Sequence, residues 1–350
     1  MSQSTPASVL AVQVTSLDGP SGLRVVELPG LGPEDAAGAV LVDVHAAGVS
    51  FPDLLMCHGR YQRKPPLPFV PGVEVAGVVA AAPTGSGFHP GDRVAAFVRV
   101  GGWAERVAVH PELTFPLPDD ISFRSGAGMP MNYLTAHLAL TRRGGLRPGE
   151  TLVVHGAAGG LGTALLQAGR ALGARVIGVV STEEKAAFAR AAGAHEAVLV
   201  GDWLAVVRDL VPGGVDVLAD TVGGDRFLDS VRSLGKEGRL IVLGFAEGIP
   251  TVAANRLLLK NVDVRGVAWG SLIEDEPTYP RQQWSDVTDW HAAGHVNPVD
   301  GATYPLEQAA DALRELEDRR ATGKITLTLR KENAGPVAAE QNPNREAGTH

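Results

Sequence analysis

The stretch 151–172, TLVVHGAAGGLGTALLQAGRAL, constrains the fold of this chain more than any other. A strand-like apolar run, TLVVHG, leads into Ala157-Ala158-Gly159-Gly160-Leu161-Gly162 and then into the amphipathic helical pattern TALLQAGRAL. A small-residue loop at a strand-to-helix junction lets the backbone come close to a pyrophosphate. The charge of that group then meets unpaired N–H groups and the positive end of the helix dipole. The first glycine of a full GxGxxG is replaced by Ala157, and a bare glycine loop can also be no more than a tight turn.

The sequence beyond the loop favours the cofactor reading. From 151 to about 270 strands and helices alternate, with strands expected at 151–156, 175–180, 197–200, 215–220, 239–244 and 262–267. Between them lie GLGTALLQAGRAL, EEKAAFARAA, DWLAVVRDL and DRFLDSVRSL, each with an apolar helical face. Six strands with intervening helices make an α/β, doubly wound parallel sheet. From residue 9 to about 115 the segments are instead short, β-like and punctuated by Pro and Gly, as in a barrel or sandwich. Residues 126–145 carry apolar positions at helical spacing, and a late strand at 324–329 returns to the first unit. We therefore expect one domain from 9–125 and 275–330, with a nucleotide-binding domain, 126–274, inserted in it. Residues 331–350 hold too little apolar surface to repay ordering entropy and are expected to be a disordered tail.

Composition removes other classes. A single cysteine, Cys57, excludes an internal disulfide and a four-cysteine zinc lobe. The net charge of −8 makes nucleic acid and anionic lipid poor partners. No apolar run approaches the length of a membrane span, and MSQSTPAS lacks the basic and apolar regions of a signal peptide, so a cytoplasmic protein is the default.

Cofactor type is read at the end of the second strand, where NAD-binding domains place an acid on the ribose 2′-OH. Here Val180 is followed by Ser181 and Thr182, then Glu183, Glu184 and Lys185. With no acid at the tip, Ser181, Thr182 and Lys185 are candidates for a 2′-phosphate, which favours NADPH over NADH. The alternative is a helix-capping box, Ser181 reciprocated by Glu184, and the two glutamates would weaken an anion site.

Several stretches together resemble the medium-chain dehydrogenase/reductase superfamily, in its zinc-free quinone oxidoreductase branch, the zeta-crystallin-like proteins. They are AAGVSFPDLLMCHGRYQRKPPLPFVPGVEVAGVV (46–79), GDRV (91–94), GGWAERVAV (101–109), YLTAHLAL (133–140), HGAAGGLG (155–162), DTVGGDRF (220–227) and ANRLLLKNVDVRGVAWG (254–270). The resemblance implies a GroES-like barrel for the first unit and covers nearly all of 9–329. Where zinc-bearing relatives have a ligand Cys this chain has Ser50, and where they have Gly-His-Glu it has Gly72-Val73-Glu74. Valine cannot bind Zn²⁺ and a serine hydroxyl is a poor substitute for thiolate. No metal is expected, and the His291/His295 pair reads as solvated surface rather than a ligand set.

The resemblance also implies site residues. Tyr61 matches a substrate-site tyrosine able to hydrogen-bond a developing enolate; the competing reading is an aromatic packing in a Pro-rich loop. Ser50, Phe51, Pro52 and Asp53 match the segment beside the nicotinamide; Asp53 either orients a water or the ribose, or caps a helix that begins at LLM. Thr135, Gly244, Phe245, Ala246, Val267, Ala268, Trp269 and Lys324 match cofactor-contacting positions, together with Ala158, Gly159, Gly160, Leu161 and Gly162. Val200 stands where several relatives have a tyrosine near the adenine phosphate, which leaves more of the NADPH argument on Lys185. His45, His137 and His155 sit in apolar stretches and read as satisfied core or site-wall residues.

The implied activity is a metal-free, NADPH-dependent reduction of a quinone or α,β-unsaturated carbonyl by a homodimer. The alternatives are a 2-enoyl thioester reductase, for which Arg60, Arg63 and Lys64 offer a basic patch, and a non-catalytic NADPH-binding protein.

Overall fold

The computed structural model describes residues 8–36 and 38–330; the tail expected at 331–350 lies outside the described residues. Seven short strands open the chain: β1 (Ser8–Val14), β2 (Leu23–Pro29), β3 (Val40–Gly48), β4 (Glu74–Ala81), β5 (Arg93–Phe97), β6 (Arg106–Val109) and β7 (Thr114–Pro116). β1 and β2 pair with each other, whereas β3, β4, β5 and β7 follow one another in an antiparallel sheet with β6 on β3. Helix α1 (Phe51–Cys57) follows β3, and α2 (Phe123–Gly126) follows β7.

The next helix, α3 (Met129–Leu138), is apolar on nearly every side and nine of its residues are buried, the signature of a helix packed on all faces rather than on a surface. It runs into a π-helical turn at Ala139–Arg143. The helical stretch expected at 126–145 is thus broken into three pieces, because Gly128 caps and Pro130 opens a fresh first turn.

Six parallel strands come next: β8 (Thr151–His155), β9 (Arg175–Val180), β10 (Glu196–Leu199), β11 (Val215–Asp220), β12 (Leu234–Val242) and β13 (Asp263–Gly266). Their order is β10-β9-β8-β11-β12-β13, so the winding reverses between β8 and β11. Every residue of β8 is buried, as a central strand covered by helices on both faces requires. The connecting helices are α4 (Gly160–Ala171), α5 (Glu183–Ala191), α6 (Trp203–Leu210), α7 (Phe227–Ser233) and α8 (Asn255–Leu258). β12 starts earlier than expected because it joins β11 at Leu234, ahead of an irregularity between Val215 and Val217 that Glu237 accommodates at φ 60°.

The chain then forms α9 (Trp269–Asp275), α10 (Tyr279–Ala292), β14 (Asp300–Pro305), α11 (Ala309–Glu317) and β15 (Lys324–Thr328). β15 pairs antiparallel with β3, which returns the chain to the first sheet. One continuous apolar core joins Val44 and Trp103 of the barrel through Leu134 of α3 to Leu165 and Leu166 of α4. Truncating either α4 leucine to alanine costs about 2–5 kcal/mol, because the cavity cannot collapse between a helix and a buried sheet. Among the described residues no helix is long and apolar enough to cross a membrane.

Candidate functional site

The glycine loop lies at the reversal point of the parallel sheet, between β8 and α4, where ligands bind in folds of this kind. Gly159 caps α4 without any side-chain hydrogen bond, so the first N–H groups of the helix are left for an incoming anion. A Cβ on Gly162 would lie 2.1 Å from the Gly156 carbonyl oxygen, so only glycine lets the helix turn this tightly out of the strand. A Cβ on Gly159, by contrast, would meet nothing nearer than 3.6 Å, and Gly159, Gly160 and Leu161 are only half-buried.

The barrel side of the site is delivered by β15. Gly323 donates its N–H to the Ala158 carbonyl at 2.8 Å, which docks the start of β15 on the glycine loop. The stem of Lys324 then passes beside Gly160 and Gly128, where a Cβ would approach it to 3.3 and 2.7 Å. Its ammonium reaches Ser50 Oγ at 2.7 Å and pairs with Glu74 Oε1. Ser50 Oγ donates to the same Glu74 oxygen at 2.9 Å, and the second oxygen accepts the Met131 N–H at 2.8 Å. All three side chains are buried, Glu74 completely. A carboxylate so removed from water needs such partners, and here they come from the turn after β3, from α3 and from β15.

Asp53 is the third residue of α1 rather than a residue ahead of it, since the helix begins at Phe51. Its carboxylate accepts the Ser50 N–H at 2.8 Å and the Gly72 N–H at 3.0 Å. Burial pushes its pKa up to about 7, against the opposing pull of those two N–H groups and of Lys324. With both oxygens committed to backbone, Asp53 fixes α1 against the Gly72 loop. Tyr61 is half-buried, and burial followed by the Asp53 charge raises its phenol above the usual value, so it remains a neutral donor near pH 7. Cys57 is a free, buried thiol pushed up to about 12 by burial, and is inert.

Ser181 and Thr182 are exposed after β9. The capping box of the alternative reading, Ser181 with Glu184, does not form. Thr182 is the N-cap instead, accepting the Lys185 N–H at 3.2 Å, because the strand runs straight to Val180 and the helix starts only at Glu183. Lys185 Nζ is held 2.6 Å from the Arg319 carbonyl. Arg319, at φ 58°, extends its guanidinium to the Ala246 carbonyl and to Glu247. The loop after β12 that carries Gly244, Phe245 and Ala246 is thereby tied to the same corner. Val267, Ala268 and Trp269 follow β13, with Trp269 buried and its ring edge-on to Phe97 at 4.8 Å.

The residues fit a dinucleotide. The buried Thr135 Oγ1 has no hydrogen-bond partner, although it lies on α3 beside the loop-facing Asn132. An orphaned buried hydroxyl of this kind is a place for a ligand's polar group. After β9, where an acid would read a free 2′-OH, the exposed Ser181 and Thr182 hydroxyls and Lys185 stand instead, with Arg319 beside Lys185.

Other expectations change. His291 is not solvated surface: Nδ1 lies 2.8 Å from the Val296 carbonyl and Nε2 3.0 Å from Asp120. Burial drives the pKa of His155 down to about 3, and its Nε2 meets Ser230, but its Nδ1 is unpartnered. Nothing in the sequence singles out Arg99, Gln283 or Arg319 for the site. Glu74 carries a signal, the Gly72-Val73-Glu74 run; the other three reach the site from segments with no motif. Arg99 and Arg63 both donate to Glu274 Oε1, at 2.7 and 3.1 Å, which joins the Tyr61 loop to α9.

Comparison with known proteins gives consistent matches. Residues 160–292 match the family described as zinc-binding dehydrogenase, and 36–119 match the alcohol dehydrogenase GroES-like domain. Rat quinone oxidoreductase-like protein 2 is 38% identical over 326 residues, spanning 91% of this chain and 92% of that protein. A probable oxidoreductase from Mycobacterium abscessus superposes with a TM-score of 0.83 at 41% identity, over 92% of this chain and 100% of its own. The quinone oxidoreductase of Thermus thermophilus, solved alone and with NADPH, gives 0.78 at 36% identity, over 91% and 100%.

Proposed function

This chain belongs to the quinone oxidoreductase branch of the medium-chain dehydrogenases/reductases, and from that membership we propose that it is a metal-free, NADPH-dependent reductase of a quinone or α,β-unsaturated carbonyl. The observation that carries the reading is the docking of Gly323 on Ala158, which sets the glycine loop next to Lys324 and its buried partners Ser50 and Glu74.

NADPH, when bound, supplies the hydride. The Gly159–Gly162 loop and the α4 N-terminus hold the pyrophosphate, Lys185 and Arg319 the 2′-phosphate, and Thr135 with Val267–Trp269 the nicotinamide end. Hydride addition to an enone or quinone leaves an enolate or phenolate oxygen, which must take a proton. Tyr61, kept protonated by burial, donates it or holds the water that does. Lys324 lends positive charge through Ser50 to the position that a metal ion fills in zinc-bearing relatives, where Val73 supplies no ligand.

One observation supports a second reading, a 2-enoyl thioester reductase. Arg63 and Arg99 share the single carboxylate of Glu274, while Arg60 and Lys64 are exposed beside them. The resulting surplus of positive charge on an acidic protein suits a substrate with a phosphate-bearing handle.

We also read the chain as 9–125 with 275–330 around an inserted 126–274, and the protein as a cytoplasmic homodimer. Edge strand β13, and the exposed Ile249, Leu258 and Leu259 at 83, 78 and 71% exposure, support the dimer.

NADPH oxidation against a panel of quinones, 2-alkenals and enoyl-CoA thioesters, with and without a chelator, tests the function. Turnover that survives chelation is expected. Loss of activity on chelation would refute the metal-free reading, and turnover confined to thioesters would select the second one.

A further inference from the structure

Gln283, in α10, is completely buried, and both ends of its amide are committed to partners outside its own helix. Its Oε1 accepts the Trp269 indole N–H at 2.7 Å, and its Nε2 donates to the Leu134 carbonyl at 2.8 Å. The orientation of the amide is determined by these partners, because an indole N–H only donates and a carbonyl only accepts. The same Nε2 lies 3.2 Å from His137 Nδ1, which must therefore be an acceptor. The proton of a neutral His137 then sits on Nε2, 2.8 Å from Asp286 Oδ2. A leucine would fill this space at no desolvation cost, so a fully satisfied amide is better explained by the positions it specifies.

Those positions belong to the site. Trp269 opens α9 and packs edge-on against Phe97, the register partner of Glu74. Leu134 immediately precedes Thr135, whose hydroxyl is buried without a partner. We propose that Gln283 is a positioning residue for the reaction: it holds the Trp269 indole and the Thr135 turn of α3 at a fixed separation, and so sets the wall that receives the nicotinamide ring. The inference rests on the NADPH reading above.

The test uses Gln283→Leu, Trp269→Phe and the double variant, each assayed for kcat and NADPH KM with one quinone, and for NADPH binding. The emission of Trp269 is isolated as the difference between proteins with and without Trp269→Phe. Gln283→Leu is expected to lower kcat about tenfold to a hundredfold, since small misplacements of a reacting ring are costly. Its NADPH Kd should move less than about threefold, because pyrophosphate and adenine contacts lie elsewhere. The Trp269 emission should shift and lose its quenching by NADPH, and in the Trp269→Phe background the Gln283→Leu effect on kcat should shrink to about threefold or less. Independent, multiplying effects, or unchanged kcat and quenching, would overturn the proposal. Should Gln283→Leu fail to fold, Gln283→Glu keeps the acceptor for the indole and removes the amide donors; wild-type emission with a reduced kcat is expected, and wild-type kcat would overturn the proposal. A wild-type protein that leaves NADPH unoxidised with every acceptor of the panel fails the functional reading itself, whereas an active wild type with an indifferent Gln283 fails only this inference.

Discussion

Lys324 Nζ lies 2.7 Å from Ser50 Oγ, although 274 residues separate the two in sequence. The contact closes the barrel with its last strand, and it places an ammonium in the interior beside a carboxylate, Glu74, that has no exposure to water. Two glycines, Gly128 and Gly160, leave the slot through which the lysine stem passes.

Lys324→Met is expected to destabilise the protein by about 3–5 kcal/mol, because it strands the Glu74 charge. Glu74→Gln combined with Lys324→Met should cost clearly less than the two single losses added together. Urea unfolding of the four proteins measures the coupling, and additive losses would refute the idea that the two charges act as a pair.

Tyr61→Phe is expected to lower kcat by about tenfold to a thousandfold while leaving the NADPH Kd unchanged, as removal of one proton donor to a developing anion does. Steady-state assays on quinones and enals, with NADPH titration alongside, provide the check. An unchanged kcat on every accepted substrate would remove Tyr61 from the mechanism.

The parallel sheet was largely legible because its strands are continuous apolar runs between amphipathic helices; β9 and β11 begin and end where periodicity places them. The glycine loop was legible for the same reason, since local sterics demand Gly162. Convergence from distant segments is beyond the reach of periodicity. Gln283 looks like any polar residue of a surface helix until α3 and α9 are packed on it, and Arg319 reaches Lys185 and the loop after β12 from a turn with no motif. His291 differs for the converse reason: its helix looks solvated in sequence, but the ring is held between the Val296 carbonyl and Asp120.

Asp53 gives a pH signature of definite sign. Its pKa is raised from 3.8 to about 7 by burial, so between these values the folded protein holds a proton that the unfolded chain has released. Stability from this group is full below about pH 4, declines as pH rises, and is lost above about pH 7, by a total on the order of a few kcal/mol. Asp53→Asn should flatten the pH dependence of urea unfolding between about pH 4 and 7. An identical slope in wild type and variant would show that Asp53 is ionised throughout.

Leu258→Lys, with Leu259→Lys, places like charges on the apolar surface beside β13 and is expected to convert a dimer into monomers at micromolar concentration. Light scattering coupled to size exclusion reads the mass. A wild-type protein that elutes as a monomer would dispose of the edge-strand dimer directly.

Cofactor choice is tested at the Lys185 and Arg319 corner. Both cations are held in place by partners that leave charge to spare: Lys185 by the Arg319 carbonyl, Arg319 by Ala246 and a Glu247 that it shares with Arg226. A charge-assisted contact to a 2′-phosphate contributes about 1.5–3 kcal/mol, so Lys185→Ala or Arg319→Ala is expected to raise the KM for NADPH by about ten- to a hundredfold. NADH lacks that phosphate, and its KM should hardly change. Partial burial lowers the pKa of Lys185, so the preference for NADPH should weaken first at alkaline pH, as the ammonium loses its proton. The preference should also fall as salt is raised, since both groups reach solvent. If the ratio of the two KM values is the same in wild type and both variants, the 2′-phosphate is read elsewhere.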